Sequence, residues 1–471
     1  MIKKYQRIFA VLLVLLLGAQ MIHVGMKDRP PKEEEIVVEE PLLIWYTDPD
    51  IQSYMEAAAS EVAARYRVEV QAELVSEVDY IEKICEKSVA EEMEGPDVYV
   101  ASSALLEKAA LAGLTTPVTD EDLAGTYSEK AVQAVTYDGK PVAWPFYIET
   151  CVMLYNRYYV EDQEVPSNIE DILNYAENFE ADEMTERVEN IFKWNVADVI
   201  DNYMFLGAYT NLGGPSGDDK SQVSMDLEKV TECMNYYQSL NGFFAIDADT
   251  VTSEEVIREF IDGRTVFTIV NVPMLAELDR AVQAGEIPEY PAERTVIKED
   301  GEEVTESLDY QLFYQVAPLP ALTDALDSRG LSVTNGVVVN PYSSNVEAAK
   351  ACARYLTEER ADQLYGEAGK LTACKGLLTG ISGAKEEQRS FLGYTSLYER
   401  LLGGEEKQAE EPKSEHAAVY EAYEKAAEVP KIMELSNLWL QLEVVLADIW
   451  RGADAGEETG RFLELLREQL N

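Results

Sequence analysis

The sequence has 471 residues, more than the roughly 250 to 300 at which a single hydrophobic core usually stops growing, so it predicts two lobes or domains. Hydrophobic residues make up 46% of the chain, and 88 Asp and Glu against 39 Lys and Arg give a formal net charge of -49. A surface this negative repels phosphate backbones and anionic headgroups, which disfavours nucleic acid and peripheral membrane binding. We interpret the charge mainly as a source of solubility.

The N-terminus predicts export from the cytoplasm. Basic residues precede an apolar run from Ile8 to Ala19, which is the arrangement of a secretory signal. No convincing cleavage site follows, and extension to Met26 brings the segment near the ~20 residues that span a bilayer. We therefore predict that residues 1–26 are a signal peptide or an N-terminal membrane anchor, and that residues 27–40, charged and proline-bearing, are an acidic tether.

Beyond the tether, strands and helices alternate. The pattern predicts a strand and turn in "PLLIWYTDPD", a helix in "IQSYMEAAASEVAARY", a strand in "RVEVQAELV", a helix in "YIEKICEKSVAEEM" and a short buried strand in "GPDVYVAS". This alternation is typical of a mostly parallel sheet covered by helices.

The stretch "YDGKPVAWPFYIETCVMLYN" interrupts the alternation with an aromatic-proline step and an apolar run that carries one carboxylate, Glu149. Because proline is excluded from the interior of central strands, we predict that the chain crosses here between two lobes and that the aromatic side chains face a cleft. The chain then becomes mainly helical, returns to strand with "GVVVNPYS", and ends in two helices after Lys431.

Catalytic motifs are missing from the sequence. The only histidines are His23 and His416, which excludes a histidine-based triad, acid-base pair or zinc site, and no phosphate loop or dinucleotide fingerprint occurs. The five cysteines show no metal-ligand spacing, and an odd count leaves at least one thiol unpaired. We therefore expect no catalytic residues, cofactor or metal. A glycosidase needs only two carboxylates, so it stays open as an alternative.

Several stretches, in order, resemble the extracellular solute-binding proteins of family 1, the group that includes maltose-binding protein. They are "IWYTDPD", "GPDVYVASSALLEKAALAGLTTPVT", the "YDGKPVAWPFYIETCVMLYN" stretch, "FIDGRTVFTIVNVPML", "VAPLPA", "GVVVNPYSSNVEAAKACARYLT" and "NLWLQLEVVLADIWRGADAGEETGRFLELL". The resemblance implies an α/β, two-lobed periplasmic-binding-protein type II fold, in which each lobe is a mostly parallel sheet flanked by helices and hinge crossings join the lobes.

The resemblance also implies where the crossings lie. They would fall at Trp144 and Pro145, at Pro318 to Pro320, and near Leu371 and Thr372. Lobe 1 would then comprise residues 41–143 plus 321–371, and lobe 2 residues 144–320 plus 372–471.

Guided by the resemblance, we predict nine ligand-binding residues: Tyr46, Asp48, Ser102, Trp144, Glu149, Trp194, Asp198, Asn271 and Trp439. Each has a structural alternative; Asp48 would cap the following helix, and Trp144 and Trp439 would pack in the core. An idle charge among apolar neighbours is costly, which favours a site role for Glu149. Two family aromatics are replaced, one by Ala101 and one within Asn271–Pro273, which disfavours a maltodextrin-like ligand.

The function implied is that of a non-enzymatic, monomeric solute-binding protein on the extracellular face of the membrane. It would capture a carbohydrate or related polyol by hinge closure and present it to the permease subunits of a bacterial ABC importer. The alternatives are a membrane-anchored sensor or adaptor with the same fold, and a glycosidase. Asp48, Glu149 and Asp198 together motivate a variant in which the solute is a cation such as a polyamine.

Overall fold

A computed structural model describes residues 41–90, 94–119, 123, 125–160, 165–181, 185–285, 292–297, 303–308, 314–380, 415–435 and 438–470. The predicted signal or anchor and the acidic tether lie outside these residues. No helix in the described ranges is both long enough and apolar enough to cross a membrane.

Ten strands form the main sheet. The strands of the described chain are β1 (Leu42–Tyr46), β2 (Val70–Leu74), β3 (Val98–Ser102), β4 (Thr136–Tyr137), β5 (Lys140–Pro141), β6 (Trp144–Asn156), β7 (Asn190–Phe192), β8 (Thr210–Asn211), β9 (Ser224–Met225), β10 (Thr265–Asn271), β11 (Ala292–Ile297), β12 (Glu303–Leu308), β13 (Tyr314–Ala317), β14 (Leu331–Val339), β15 (Leu371–Thr372) and β16 (Ala427–Glu428). The order is β2-β1-β3-β14-β6-β10-β7, with β13 and β15 also paired to β6 and β16 paired to β14. Strand pairs are parallel towards the outside, at β2-β1-β3 and β10-β7, and antiparallel beside β6.

Strand β6 belongs to two groups of strands. Its first residues, as far as Thr150, pair with β14, and its residues from Cys151 onwards pair with β10. Almost every side chain of the strand is buried, as expected of a central strand with both faces covered. The chain therefore passes between the two groups along one continuous strand, and the change of partner falls between Thr150 and Cys151.

Pro145 lies inside this central strand, so the expectation that proline excludes such a strand is wrong here. The reason is a local irregularity: the register with β14 shifts between Asn335 and Gly336, and Pro145 lies opposite Gly336. Proline is tolerated at bulges, where a ladder hydrogen bond is missing anyway. A β-carbon on Gly336 would come within 2.9 Å of the Ala143 Cβ, so only glycine fits this crowded position.

Helices cover the sheet. They are α1 (Gln52–Tyr66), α2 (Tyr80–Ser88), α3 (Leu106–Leu111), α4 (Glu129–Ala134), α5 (Ile169–Asn178), α6 (Val199–Asn202), α7 (Leu227–Phe244), α8 (Ser253–Ile261), α9 (Val272–Ala284), α10 (Val346–Arg354), α11 (Leu364–Ala368), α12 (Lys375–Gly380), α13 (Glu415–Lys425), α14 (Leu438–Trp450) and α15 (Ala455–Leu470). Side-chain caps occur at the starts of α4 to α9; Asn168 and Asp171, for example, form a capping box at the start of α5. His416 lies in α13 and is buried.

The predicted return crossing at Pro318 to Pro320 does not lead directly into β14. The Ala321 carbonyl accepts a hydrogen bond of 2.9 Å from the Ile169 N–H, and Asn168 donates to Asp324 at 3.1 Å. Residues just after the prolines thus lie beside the start of α5. The division of the chain into the two stated lobes remains a prediction.

Candidate functional site

The turn after β1 places the first of the predicted site residues. Asp48 caps the short helix Pro49–Ile51, accepting a hydrogen bond of 2.9 Å from the Asp50 N–H. Its other carboxylate oxygen accepts a hydrogen bond of 2.9 Å from the Tyr147 hydroxyl on β6. The capping alternative for Asp48 is therefore confirmed, but the cap uses only one oxygen, and the other points to the crossing strand.

A lysine joins this turn to the predicted site residue on β6. The Nζ atom of Lys370 lies 3.0 Å from Asp48 Oδ2, 3.2 Å from Asp50 Oδ2 and 3.1 Å from Glu149 Oε1. The ammonium group donates a hydrogen bond to Glu149 and forms ion pairs with the Asp48 and Asp50 carboxylates. We call Asp48, Asp50, Glu149 and Lys370 the Lys370 cluster.

Burial differs sharply between the members of the Lys370 cluster. The Lys370 side chain is 4% exposed, whereas Asp48, Glu149 and Asp50 are 22%, 27% and 53% exposed. Burial alone would lower the pKa of Lys370, but attraction by Glu149 and Asp48 outweighs it and raises the pKa, so the side chain stays protonated. The cluster thus presents carboxylates that are accessible to solvent and are held in place by the buried, protonated Lys370 side chain.

Three acidic or polar residues from other elements, Asn271, Asp198 and Asp201, lie near the part of β6 that follows Glu149. Asn271, the last residue of β10, pairs with Cys151, and the Cys151 Sγ lies 3.0 Å from the Asp201 carboxylate. Burial, together with Asp201, Asp198 and Glu149, raises the pKa of Cys151 well above its usual value, so this thiol stays protonated. The backbone therefore brings the predicted residues Asp198 and Asn271 to the part of β6 that follows Glu149.

The side chains of Asp198 and Asn271 already have local partners. Asp198 caps α6, accepting from the Ile200 N–H at 2.8 Å, and Asn271 caps α9, accepting from the Met274 N–H at 3.1 Å. Both remain partly exposed, as does Ser102 at the end of β3. These three residues therefore stay candidates for ligand contact.

Three predicted aromatic contacts lie in the core. Tyr46, Trp144 and Trp194 are 1%, 0% and 0% exposed. Trp194 stacks on Phe192 with 4.6 Å between ring centroids, and its indole N–H donates to Asn202 at 2.9 Å. The expectation that these rings face a cleft is thus not met in this structure, because the hydrophobic gain from burying large rings is satisfied by core packing.

Trp439 differs from the other two predicted tryptophans because it is only partly buried. It lies at the start of α14, edge-on to Tyr203 with 6.2 Å between ring centroids, and lines an apolar void of about 10 Å³. Of the three indoles, Trp439 alone keeps an exposed part for stacking.

A larger, polar cavity of about 660 Å³ lies elsewhere, and its lining contains none of the nine predicted positions. Three of its charged lining residues have hydrogen-bond partners within the protein. Lys130 and Arg329 donate to the Ala426 carbonyl at the end of α13, at 2.8 and 3.4 Å, and Glu428 accepts from Ser103 at 2.7 Å. We therefore take the Lys370 cluster as the candidate site.

Sequence reasoning did not find Lys370 or Asp50. One feature of the sequence could have indicated Lys370: it is a lysine directly before the crossing predicted at Leu371. Several of the predicted site residues are acids and could pair with it. A buried cation among acids needs partners, and the pairing could have been inferred from that need.

Comparison with known proteins decides the family. The family described as bacterial extracellular solute-binding protein matches residues 57–376. The chain belongs to this family. Membership confirms that this solute-binding protein is not an enzyme, which sets aside the glycosidase alternative, and agrees with a location outside the cytoplasm.

Two curated relatives are maltose-related binding proteins. The maltodextrin-binding protein MdxE of Bacillus subtilis is 20% identical over 86% of both chains. The maltotriose-binding protein of Pyrococcus abyssi is 27% identical, but the match spans only 38% of each chain.

Solved structures confirm the two-lobed fold. The extracellular solute-binding protein from Staphylococcus aureus in complex with maltose has a TM-score of 0.64 at 15% identity, covering 92% of this chain and 98% of the other. MalX from Streptococcus pneumoniae in complex with maltopentaose has a TM-score of 0.63 at 17% identity, covering 91% and 99%. At these identities the likeness concerns the fold alone.

Proposed function

We propose that this solute-binding protein captures a carbohydrate or related polyol for a bacterial ABC importer, at a cleft that contains the Lys370 cluster. The observation that carries the proposal is the convergence of Asp48 and Glu149, from the β1 turn and the crossing strand, on one buried cation. Partly exposed carboxylates accept hydrogen bonds from sugar hydroxyl groups. The maltotriose and maltodextrin named for the two curated relatives support a carbohydrate.

Binding would proceed by closure of the two lobes. The change of partner along β6 between Thr150 and Cys151 supports a hinge there, because this strand connects the two groups of strands. Asp48 and Glu149 would accept hydroxyl hydrogens, and Trp439 would cover an apolar face of the sugar ring. The closed monomer would then present its lobes to the permease subunits.

Aromatic stacking would contribute less than in a cleft lined by several rings. Ala101, at a family aromatic position, is 3% exposed, and the indoles of Trp144 and Trp194 are buried. We expect hydrogen bonding to supply most of the selectivity, since donors and acceptors left unpaired in a closed cleft are costly.

A carbohydrate panel tests the proposal. Maltose, maltotriose, maltopentaose and sorbitol are titrated by calorimetry and by thermal shift, with cellobiose as a disaccharide of different linkage. A ligand present at 100 times its Kd stabilises the folded form by about 2.7 kcal/mol, so at least one compound should raise the melting temperature. Absence of heat and of any shift for all these compounds would refute the proposal for this solute class.

A further inference from the structure

The Lys370 ammonium lies among three carboxylates, which are acceptors that would also suit the ammonium group of a cationic solute. Its three carboxylate partners lie at 3.0, 3.2 and 3.1 Å, and the one at 3.1 Å, Glu149, also accepts a hydrogen bond, so these carboxylates are already paired with a cation of the protein. The Tyr147 ring adds a further favourable contact, since Nζ lies 5.6 Å from its centroid. The cluster therefore has the chemistry of an amine-binding site whose amine belongs to the protein.

We propose that Lys370 determines the specificity of the site, filling its amine position so that Asp48 and Glu149 serve neutral polyhydroxyl solutes and cationic solutes are excluded. The proposal rests on the proposed function, because it takes these two carboxylates as ligand contacts. It also rejects the polyamine variant raised by the acids of the sequence.

The negative charge of the whole chain favours the approach of cationic solutes. A formal net charge of -49 attracts cations to the surface, and three carboxylates without a counter-charge would hold them. Lys370 leaves the cluster with two net negative charges instead of three. The 53% exposure of Asp50 and the 27% exposure of Glu149 show that solvent reaches the rim of the cluster, so an external amine has an approach once the lysine is removed.

The positive charge of Lys370 does not depend on pH in the neutral range. The acids around it raise its pKa, so its charge persists throughout the neutral range. The exclusion of cations should therefore not vary between pH 6 and pH 9.

Titration with spermidine and with 1,4-diaminobutane tests the proposal. The wild type should bind neither amine at a specific site, and Lys370→Met should bind spermidine at one site at least 10-fold more tightly than the wild type. The matched control is Lys350→Met, which removes the same charge from a surface pair whose partner, Glu347, is 77% exposed, and it should behave as the wild type. If Lys370→Met does not fold, Lys370→Gln carries the test, since its amide keeps two donors for the carboxylates.

Several results would overturn the proposal. They are one-site binding of spermidine by the wild type, no gain of amine binding in a folded Lys370 variant, and an equal gain in Lys350→Met. A lysine with a structural role alone would lower stability without opening an amine site, so the gain separates the two roles. Because these titrations contain no sugar, their failure is distinct from a failure of the carbohydrate panel.

Discussion

Replacement of Glu149 by glutamine removes one negative charge from the Lys370 cluster while keeping the size of the side chain. In the structure Glu149 Oε1 lies 3.1 Å from Lys370 Nζ, and the side chain is 27% exposed. The substitution therefore changes an acceptor of hydroxyl hydrogens and a partner of a buried cation at the same time. The two effects have different sizes and are measured separately.

The expected loss of affinity follows from the hydrogen bond. The glutamine amide oxygen still accepts a hydrogen bond, so the loss is the difference between a charged and a neutral hydrogen bond, about 1–1.5 kcal/mol, which corresponds to a roughly 5- to 13-fold increase in the Kd for carbohydrate. Breaking a buried ion pair costs about 3–5 kcal/mol, but Lys370 keeps Asp48 and Asp50, so we expect a loss of only about 1–2 kcal/mol in the free energy of unfolding.

Calorimetry with the tightest carbohydrate of the panel measures the first effect, and urea unfolding without sugar measures the second. Glu347→Gln is the matched control, because it removes the same charge from an exposed pair with Lys350 and should leave both quantities unchanged. A Kd within twofold of the wild type for folded Glu149→Gln would show that Glu149 does not contact the solute. An equal loss in Glu347→Gln would instead indicate a general effect of charge.

The remaining predictions concern two tryptophans and a buried lysine. Trp439→Ala should raise the Kd for carbohydrate about 10-fold by removing the stacking face, while the circular dichroism spectrum stays native; an unchanged Kd would assign Trp439 to packing against Tyr203. Trp194→Ala should lower the free energy of unfolding by about 3–5 kcal/mol, measured in urea, and leave the Kd of the folded protein within twofold, since Trp194 is 0% exposed; a large change in Kd without a loss of stability would return Trp194 to the site. Burial lowers the pKa of Lys431 to about 8, so between pH 8 and pH 10 the unfolded chain binds more protons than the folded one, and stability should rise with pH by up to about 1.4 kcal/mol per pH unit relative to Lys431→Met. Urea unfolding of both proteins at pH 8, 9 and 10 measures this difference. If the free energy of unfolding depended on pH equally in the two proteins, the lowered pKa of Lys431 would be contradicted.

The local elements could be predicted from the sequence because their signals are local. The alternating and helical periods located β1 and α1 to within a few residues, and Asp226 and Thr252 cap the helices that follow them. The family resemblance, confirmed by the comparisons, supplied the two-lobed arrangement.

The errors arose where distant contacts decide the outcome. The burial of Trp144 and Trp194 depends on how separate segments pack, and nothing in the sequence neighbourhood of either residue distinguishes a core indole from a cleft indole. Pro145 is accommodated by a bulge formed with β14, which lies far along the chain. Local rules give the preference of a residue, and tertiary contacts override it.

The Lys370 cluster could be predicted only in part. Asp48 and Glu149 were identified from the resemblance, but their common partner is more than 200 positions beyond Glu149 in the sequence. A lysine has no periodic signal and is usually solvated, so its burial follows from the fold and not from its neighbours.

Because β6 is shared by the two groups of strands, insertions and deletions within it have long-range effects. Side chains alternate between the two faces of a strand, so one residue inserted between Thr150 and Cys151 would turn every following side chain of the strand to the opposite face. The side chains from Cys151 onwards would then have the opposite orientation relative to Glu149, and their pairing with β10 would be disrupted. Insertions and deletions must therefore occur away from this junction, because the number of residues in β6 sets the register between the two groups of strands.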